Sequence, residues 1–312
     1  MNWKIKSWVQ NFIASLPSAL SYSAYYWIQR HFGRLKSSIP LHRFKAAAEM
    51  WRLIRSLGMN PNGKTFFELG TGRVPNIPIT IWLLGGKGTV TVDLNPYLKE
   101  DMLLESLDYM FNNKEEIKKI LDPFLVTDHF NELEMLWRSG KASMNSVLEF
   151  CNIEYIAPAD AANLEIDNFS IDFYTSFVVL EHIPPKLIEK IIEESNRIVK
   201  KEGLFIHRID YGDHFAHTDL KISKINFLQY SDLEWEHFAG NRYMYMNRLR
   251  HDDFLKLFQS LNQIVLIDKP DIDVGSLDLL KSNSFHLDKK FTGKSETILA
   301  TTSSWLVTQK VN

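Results

Sequence analysis

A glycine-bearing turn stands where a short apolar segment gives way to a helical pattern. The run Phe66-Phe67-Glu68-Leu69-Gly70-Thr71-Gly72 ends a predicted strand and opens this turn. Such turns bring backbone N–H groups close to a bound cofactor. Pro75 stands where a dinucleotide site has its third glycine, and proline has no N–H to offer a pyrophosphate. Glu68 would also sit badly beside phosphates, whereas a carboxylate there suits a cofactor that carries a positive charge.

Polar residues follow at the ends of the next predicted strands. Asp93 ends the second strand, 21 residues after Gly72, where a carboxylate can accept both hydroxyls of a ribose. Asp160 follows the third strand, where an acid can accept a hydrogen bond from the amino group of an adenine ring. Either acid alone could cap a helix instead. Their order along the chain favours the ligand-binding interpretation.

With these motifs the chain resembles the class I S-adenosylmethionine-dependent methyltransferases, the seven-stranded Rossmann-like type. The resemblance extends over roughly residues 60–210 and, more loosely, 250–310. The turn Glu181-His182-Ile183-Pro184 resembles that of the small-molecule branch, and Arg73-Val74-Pro75 departs from members with a third glycine. The resemblance implies S-adenosylmethionine as the cofactor and these contacts with it: Glu68, Gly70 and Gly72 at the methionine end with Thr71 in the same turn, Asp93 at the ribose, Asp160 with Ala161 at the adenine, and Ser176 at the end of the fourth strand.

A second group of titratable residues gathers at and beyond the fifth predicted strand: His207, Asp210, Asp213, His214, His217 and Asp219. Together with His182, which follows the fourth strand, they lie at the carboxyl edge, where ligands bind in open α/β sheets. We predict that a histidine takes the proton from an acceptor hydroxyl, with His214 and His217 favoured over His182. Asp210, Asp213 or Asp219 would orient the imidazole. We expect Glu181 to be structural, capping or pairing with nearby backbone.

Two other uses of this second group stay open. The residues could belong to a solvated loop. They could also bind a divalent metal, but no helix-fixed pair or cysteine supports one, so we assign no metal ligand.

The expected activity is S-adenosylmethionine-dependent methylation, with the histidine-rich edge favouring an oxygen of a small-molecule or glycan-type acceptor. A looser resemblance links the N-terminal segment, the glycine turn and the segment Asn247-Arg248-Leu249-Arg250 to bacterial methyltransferases of glycan or secondary-metabolite assembly. We expect no nucleic-acid partner. Two alternatives remain: an NAD-linked Rossmann oxidoreductase, which Pro75 and Glu68 disfavour, and a non-catalytic scaffold that retains the fold.

Short β-rich segments separated by helical patterns must position these residues. This alternation predicts an α/β fold: a mostly parallel seven-stranded sheet with helices on both faces, plus an N-terminal helical cap. We divide the chain into the cap (1–58) and a methyltransferase domain (59–312), with a helical insertion at 113–150 and a substrate lid at 211–249. The predicted strands are 64–69, 88–93, 153–157, 171–176, 203–210 and, as a closing pair, 263–269 and 297–307.

The first 58 residues differ in charge from the rest of the chain. They hold nine Lys or Arg against one acid, a net +8, which leaves −10 on the other residues, and they contain four of the eight tryptophans. An apolar stripe at helical spacing comprises Ile5, Trp8, Val9, Phe12, Ile13 and Leu16. We expect this stripe to pack as a cap over the domain. The alternative is that the segment contacts an anionic membrane surface.

The composition sets outer limits on the class of protein. A chain of 312 residues with 45% hydrophobic and 24% charged residues is typical of a globular protein, and it excludes disorder, collagen and coiled coil. The single Cys151 excludes an internal disulfide framework. No apolar run reaches the roughly 18 residues that cross a bilayer, and the start MNWKIKSW lacks a signal-peptide pattern. We therefore expect a cytoplasmic location, with peripheral contact at the inner membrane surface as an alternative.

Overall fold

One sheet organises the computed structural model, which describes residues 1–37, 39–282 and 284–311. Within these residues its seven strands lie in the order β3-β2-β1-β4-β5-β7-β6. The strands are β1 (Thr65–Leu69), β2 (Gly88–Val92), β3 (Ile153–Ile156), β4 (Ile171–Phe177), β5 (Val199–Asp210), β6 (Gln263–Ile272) and β7 (Thr301–Lys310). The pairs among β1 to β5 are parallel, and β7 runs antiparallel between β5 and β6. The predicted fold class is confirmed.

Helices connect and cover these strands. In the described residues they are α1 (Trp3–Ala14), α2 (Ser18–His31), α3 (Leu41–Ser56), α4 (Asn76–Leu83), α5 (Glu100–Asn112), α6 (Lys114–Leu121), α7 (Thr127–Arg138), α8 (Met144–Phe150), α9 (Pro185–Ile198), α10 (Asp232–Ala239), α11 (His251–Ser260), α12 (Val274–Lys281) and α13 (Glu296–Ala300). The segment 113–150, predicted as a helical insertion, contains α6, α7 and α8. None of the described helices is long and apolar enough to cross a membrane.

Consecutive residues of the central strands feed two hydrophobic clusters, because side chains alternate between the faces of a sheet. Phe66 belongs to the cluster in which α3 to α8 pack, and Phe67 belongs to the cluster that contains α9 and α11. Trp51 of α3 stacks on Phe66, with ring centroids 6.0 Å apart. The helix α3 therefore packs directly on the sheet, although it lies within residues 1–58. The division of the chain at residue 58 stays a prediction.

A third hydrophobic cluster joins α1 to the segment 211–249. The ring of Trp3 lies 5.3 Å from Phe215 and 4.8 Å from Phe238, measured between centroids. The backbone N–H of Trp3 donates to the Asp219 carboxylate at 2.9 Å, and the Ser7 hydroxyl donates to the Phe238 carbonyl at 2.6 Å. The N-terminal helix and the segment predicted as a lid thus form one packed unit.

The face of α1 that packs inward is not the one that the apolar spacing predicted. Its buried residues are Trp3, Ser7, Gln10 and Ile13. The prediction is wrong for Ile5, Trp8 and Phe12, which are 58%, 69% and 59% exposed. Ser7 and Gln10 tolerate burial because each has a hydrogen-bond partner, the Phe238 carbonyl and the Tyr25 hydroxyl respectively.

The last strand begins later than its β-branched residues predicted. Residues 297–300 belong to α13, so the strand predicted over 297–307 starts at Thr301. The Ser295 hydroxyl accepts a hydrogen bond from the Ile298 N–H at 3.4 Å and caps this short helix. The cap decides the local structure against the strand preference of Thr297 and Ile298.

The order of the strands reverses beside β1, since β2 and β3 lie on one side of it and β4 and β5 on the other. Ligands of open α/β sheets bind outside the carboxyl ends of the strands at such a switch point. The residues that follow β1, β2, β4 and β5 therefore meet at the edge where a ligand is expected.

Candidate functional site

The turn after β1 depends on backbone angles that favour glycine. Gly70 has φ +83° and Gly72 has φ +76°. The Gly70 N–H donates to the Val92 carbonyl at 2.9 Å, which ties the turn to β2. A Cβ on Gly70 would lie 2.6 Å from Cγ2 of Val179, whereas one on Gly72 would meet no atom within 4 Å. The backbone at Gly72 therefore borders open space that a ligand can fill.

Asp93 stands directly after β2 and faces the same turn. Its carboxylate accepts hydrogen bonds from the Gly72 N–H at 3.0 Å and from the Tyr155 hydroxyl at 3.3 Å. Burial raises the pKa of Asp93 to about 7, although these two donors lower it in part. The site thus holds a buried carboxylate of fixed orientation, which suits the hydroxyls of a ribose.

Glu68 and Thr71 are buried within the base of the turn. The Thr91 hydroxyl donates to the Glu68 carboxylate at 2.7 Å, and it is also hydrogen-bonded to the Thr71 hydroxyl. Burial raises the pKa of Glu68 to about 7. These two predicted cofactor residues therefore support the turn from inside the protein.

The segment after β3 lies beside Asp93, as the predicted adenine site requires. The Ala159 N–H donates to the Asp93 carbonyl at 2.9 Å. Asp160 is exposed, and its Oδ1 accepts a hydrogen bond from the Ala162 N–H at 3.0 Å, which closes a local turn. Ala161 is half-buried in the same turn. The structure thus brings these residues close to Asp93, the residue predicted to bind the ribose.

Ser176, predicted to lie beside the cofactor, points into the protein interior. Its side chain is fully buried, and its hydroxyl is hydrogen-bonded to Nδ1 of His207 at 2.8 Å. The His207 ring stacks on Phe258, with centroids 5.2 Å apart, and burial lowers its pKa to about 3. Both side chains therefore lie within the sheet layer, and His207 takes no part in the cluster that was predicted around it.

Sequence reasoning missed Arg43 of α3, which was counted only as part of the basic N-terminal segment. Its guanidinium lies 4.9 Å from the centroid of Phe177, the last residue of β4. It borders a pocket of about 640 Å³ together with Thr71 and Gly72. Burial lowers the pKa of Arg43, and the charges of Glu68, Glu181 and Asp93 oppose this. Arg43 is thus a cation near the carboxylates of the site, where Arg73 borders the same pocket, and the packing of α3 on the sheet brings it there.

A second pocket, of about 530 Å³, opens between the two N-terminal helices and the ends of β4 and β5. We call it the acceptor pocket, after the role proposed for it below. Its walls include Ile13 of α1 and Tyr25 of α2. Polar residues gather at its base: Glu181, His182, Asp210, His214 and His217. The candidate catalytic residues therefore share one cavity.

Asp210 holds two of these histidines near its carboxylate. Its Oδ2 lies 3.5 Å from Nε2 of His214 and 3.9 Å from Nε2 of His217. The two imidazoles stack with centroids 5.3 Å apart. Burial raises the pKa of Asp210, but His214, the Gly212 N–H and His217 lower it by more, so that the pKa is below its ordinary value. Asp210 is therefore an ionised acceptor facing both rings.

His182 joins this group from the other side of the pocket. Its ring centroid lies 4.9 Å from that of His214, and its Nδ1 is hydrogen-bonded to the Tyr245 carbonyl at 2.8 Å. The pKa of His182 falls to about 4 because protein atoms crowd the ring, even though part of it faces the open pocket, and because His214 lies beside it. His182 is thus uncharged at neutral pH.

Two of the acids predicted to orient a histidine do not do so. Asp213 accepts hydrogen bonds from the Phe215 N–H at 2.8 Å and the Asn226 amide at 2.9 Å. Asp219 accepts from the N–H groups of Trp3 and Lys221. The prediction is wrong for both because loop backbone and side-chain amides occupy these carboxylates.

Asn247, the first residue of the segment 247–250, holds the turn after β4 in place. The Asn247 N–H donates to the Glu181 carbonyl at 2.8 Å, and its side-chain amide donates to the carbonyls of Leu180 and Ile183 at 2.8 and 2.9 Å. Val178, which begins the turn, has φ +52°, a strained value for a β-branched residue. Such strain is typical of functional sites.

Glu181 was expected to be structural, capping or pairing with nearby backbone, and its carbonyl does pair with the Asn247 N–H. It is 1% exposed, and both carboxyl oxygens are buried without a hydrogen-bond partner among the described residues. Burial and the nearby charge of Asp210 raise the pKa of Glu181 well above its ordinary value, and the backbone N–H groups of Glu181 and Asp210 and the charge of Arg43 oppose this rise. The main chain of Glu181 is fixed by Asn247, while its carboxyl group borders the acceptor pocket.

Residues 133–207 match the methyltransferase domain family. The match includes β3, β4 and α9 with the turn at Glu181 and His182, and it leaves out the glycine turn and Asp93. No curated protein sequence matches the chain.

Several solved structures are similar in fold. A protein designated PH0226 from Pyrococcus horikoshii OT3 is 14% identical, with a TM-score of 0.49 over 92% of this chain and 99% of that chain. An S-adenosylmethionine-dependent methyltransferase from Clostridium acetobutylicum is 12% identical, with a TM-score of 0.46 over 93% and 99%. A geranyl diphosphate C-methyltransferase from Streptomyces coelicolor is 13% identical, with a TM-score of 0.43 over 87% and 82%. We assign the fold from the strand order of the sheet and not from these similarities.

The family match supports the predicted class of enzyme, an S-adenosylmethionine-dependent methyltransferase, and with it the predicted cofactor. The residues present fit that cofactor. Gly72 borders open space, Asp93 offers a buried carboxylate for hydroxyl groups, and Arg43 offers a cation at the same edge. A nicotinamide dinucleotide site would have a third glycine where Pro75 stands, and proline has no N–H to offer its pyrophosphate.

Proposed function

We propose that this chain methylates a hydroxyl group of a small-molecule or glycan-type acceptor bound in the acceptor pocket. The observation that carries the proposal is the carboxylate of Asp210 facing two imidazoles, 3.5 and 3.9 Å away, in a cavity of about 530 Å³. When bound, S-adenosylmethionine supplies a methyl group on a sulfonium that is already activated toward displacement. The chain then has two tasks, to align the acceptor and to take its proton.

The cofactor is held by residues on three strand ends and one helix. Asp93 accepts the ribose hydroxyls, and Asp160 with Ala161 borders the adenine. Gly70 and Gly72 would let the backbone approach the methionine end, and the Arg43 guanidinium, which borders the same pocket, would pair with the cofactor carboxylate. Alignment of two reactants in this way supplies on the order of 7–11 kcal/mol of the barrier reduction.

The proton of the acceptor passes to the histidine pair. An imidazole within reach of the hydroxyl acts as general base, and such a base contributes roughly 10²–10⁴ in rate. Asp210 orients the rings and stabilises the imidazolium that forms. An amine acceptor would need less from a base, so the Asp210 cluster supports oxygen as the acceptor atom.

Binding measurements test the cofactor and separate the rival classes. We expect isothermal titration to show binding of S-adenosylmethionine and S-adenosylhomocysteine and none of NAD. Binding of NAD alone would establish the oxidoreductase alternative. Binding of S-adenosylhomocysteine without any methyl transfer would favour the scaffold.

Transfer measurements test the acceptor. The enzyme is incubated with methyl-labelled cofactor and a panel of sugars, phenols and alcohols, each paired with its amine analogue. We expect label on the hydroxyl compounds, and its loss in Asp210→Asn. Label confined to the amines would contradict oxygen as the acceptor atom.

The exposed stripe of α1, Ile5, Trp8 and Phe12, supports a membrane contact as part of this function. These residues recur on one face of the helix. Met1 and Phe32, which are 72% and 75% exposed, border the acceptor pocket. We take an anionic bilayer as the occupant of this surface because the N-terminal segment is basic in sequence and Lys4, one turn before Trp8, is exposed beside the apolar residues. An acceptor with an apolar tail would then reach the pocket from the bilayer.

Vesicle co-sedimentation tests the membrane contact. We expect binding to phosphatidylcholine vesicles that contain phosphatidylglycerol, weaker binding at higher salt, and loss in a Trp8→Ser, Phe12→Ser variant. Met135→Ser, which removes an exposed apolar residue of α7, is the matched control. Absence of binding at any salt, or a dimer that the same variant abolishes, would contradict the membrane contact.

A further inference from the structure

We propose that Glu181, His182 and His214 form a binding site for a divalent transition-metal ion at the base of the acceptor pocket. Each residue offers one ligand atom, and these three atoms lie within 4.8 Å of one another. Ligand atoms about 2.0–2.2 Å from a common ion are separated by up to about 4.4 Å, so small side-chain rotations complete the site. All three residues line the same cavity, which gives an ion a path of entry.

The carboxyl group of Glu181 is an independent sign of a missing partner. Both of its oxygens are buried and make no hydrogen bond of good geometry among the described residues, although the backbone N–H groups of Glu181 and Asp210 lie nearby, and Glu181 lines the pocket. A buried polar group without a partner is costly, and its presence calls for an unseen ligand or ion. A cation between Glu181 and the imidazoles would supply that partner.

The two histidines are prepared as ligands. Nδ1 of His182 is hydrogen-bonded to the Tyr245 carbonyl, so it carries the proton and leaves the lone pair of Nε2 for an ion. This is the outer partner that metal-bound histidines commonly have. Nε2 of His214 is buried without a hydrogen bond within the described residues and lies 3.5 Å from Asp210. Asp210 can therefore act as a fourth ligand when Nε2 binds the ion, or as the outer partner that accepts from Nε2–H when Nδ1 binds it.

The backbone around these ligands is rigid. Asn247 fixes the main chain from Leu180 to Ile183 by three hydrogen bonds. Two of the three ligands are consecutive residues of that turn, so their relative position changes little. The third, His214, comes from the segment that α1 anchors through Trp3 and Asp219.

The ligand types narrow the choice of ion. Two imidazoles and one carboxylate suit Zn²⁺, Fe²⁺ or Mn²⁺, whereas Ca²⁺ and Mg²⁺ prefer sites built from oxygen ligands. Three protein ligands leave coordination positions open toward the pocket. Together with the proposed function, on which this step rests, an open position would take the hydroxyl oxygen of the acceptor.

The ion then lowers the pKa of the bound hydroxyl. The acceptor oxygen forms the new O–CH₃ bond as the S–CH₃ bond breaks, and the electron pair of that bond stays on sulfur. The hydroxyl proton passes to His217, which is outside the ligand set and beside Asp210. In this arrangement His214 serves as a ligand and His217 as the base.

Metal binding to the whole chain tests the site without an acceptor. After treatment with a chelator and desalting, the protein is titrated with Zn²⁺ by calorimetry and with Co²⁺ by visible absorption. We expect one ion per chain and an absorption band typical of coordinated cobalt. His182→Ala and Glu181→Gln should each weaken binding by at least tenfold, whereas His237→Ala, which removes an exposed histidine of α10, should leave it unchanged.

S-adenosylhomocysteine binding by the same samples separates this proposal from the proposed function. Cofactor binding with no stoichiometric metal overturns the metal site alone, and metal binding without cofactor binding overturns the methyltransferase proposal alone. Metal binding that His182→Ala leaves unchanged also overturns the site. This variant keeps the test valid if Glu181→Gln fails to fold, because part of the His182 ring is exposed.

Discussion

The backbone N–H of Gly72 donates a 3.0 Å hydrogen bond to the Asp93 carboxylate, beside the switch point of the sheet. The Tyr155 hydroxyl reaches the same oxygen from β3 at 3.3 Å. One carboxylate thus ties together the ends of β1, β2 and β3. The same group is the proposed acceptor for the ribose hydroxyls, so the order of the turn and the binding of the cofactor depend on one side chain.

Replacing Asp93 tests this double role. At about pH 8.5, where Asp93 is ionised, we expect Asp93→Ala to weaken S-adenosylhomocysteine binding by roughly 30- to 150-fold, about 2–3 kcal/mol, because a charged acceptor of hydrogen bonds is lost. Isothermal titration measures the effect. Glu154→Ala, which removes an exposed acid of β3, should bind as the wild type does. Unchanged affinity in Asp93→Ala would remove Asp93 from the cofactor site.

The raised pKa values of Asp93 and Glu68 predict a pH-dependent stability. Burial raises both to about 7, from ordinary values of 3.8 and 4.5. Between these limits the folded chain binds more protons than the unfolded chain, so the contribution of these groups to stability falls as the pH rises from about 4 to about 7. Urea unfolding without cofactor, from pH 4.5 to 7.5, should show a shallower fall in Asp93→Asn than in the wild type. Identical slopes would mean that the pKa of Asp93 is not raised.

Sequence patterns could predict the fold because each strand and helix is locally consistent. The alternation of strands and helices after residue 60 matches the structure, although the fifth strand begins at Val199 and not at residue 203, and the last begins at Thr301. The glycine turn and Asp93 were also within reach, since both directly follow strands that pair in parallel. Residues at successive carboxyl ends of a parallel sheet meet whatever the connections between them.

The rest of the site depends on packing that no local pattern contains. Arg43 reaches the glycine turn only because α3 packs on the sheet, and the Glu181 carboxyl oxygens are unusual because they make no well-formed hydrogen bond within the described residues. Asp213 looked equivalent to Asp210 in the sequence, yet the Phe215 N–H and Asn226 occupy it. The prediction of the packing face of α1 was wrong because hydrogen bonds allow Ser7 and Gln10 to be buried.

Arg43 can be tested with two ligands that differ at the methionine end. We expect Arg43→Gln to weaken S-adenosylhomocysteine binding by roughly 10- to 100-fold, because a charged hydrogen bond to the carboxylate is lost. Adenosine has no carboxylate, so its binding should change less than about threefold. Equal losses for both ligands would indicate a general structural role instead.

The junction of α1 with the lid predicts that they open together. Trp3 is buried among rings of the lid, so Trp3→Ala should destabilise this unit by about 3–5 kcal/mol. Hydrogen exchange measured by mass spectrometry should become faster in residues 3–14 and 211–249 and stay unchanged in β1 and β4. Trp8→Ala is the matched control because Trp8 is mostly exposed. Faster exchange confined to α1 would show that the lid does not depend on it.

The roles of His214 and His217 can be distinguished, because His214 should control metal binding and His217 should control proton transfer. Once an acceptor has been found, we expect His217→Ala to lower kcat by roughly 10²–10⁴, because it takes the proton of the hydroxyl. Zn²⁺ binding in this variant should stay as in the wild type, since His217 is not a proposed ligand. His214→Ala should lose both Zn²⁺ binding and turnover, and Asp210→Asn should lower kcat because neither ring keeps its charged partner. Single-turnover rates with saturating cofactor, with and without a chelator, distinguish these effects. Wild-type rates in His217→Ala would show that no base is needed there and that alignment carries the reaction, while a chelator without effect would show that the metal takes no part in turnover.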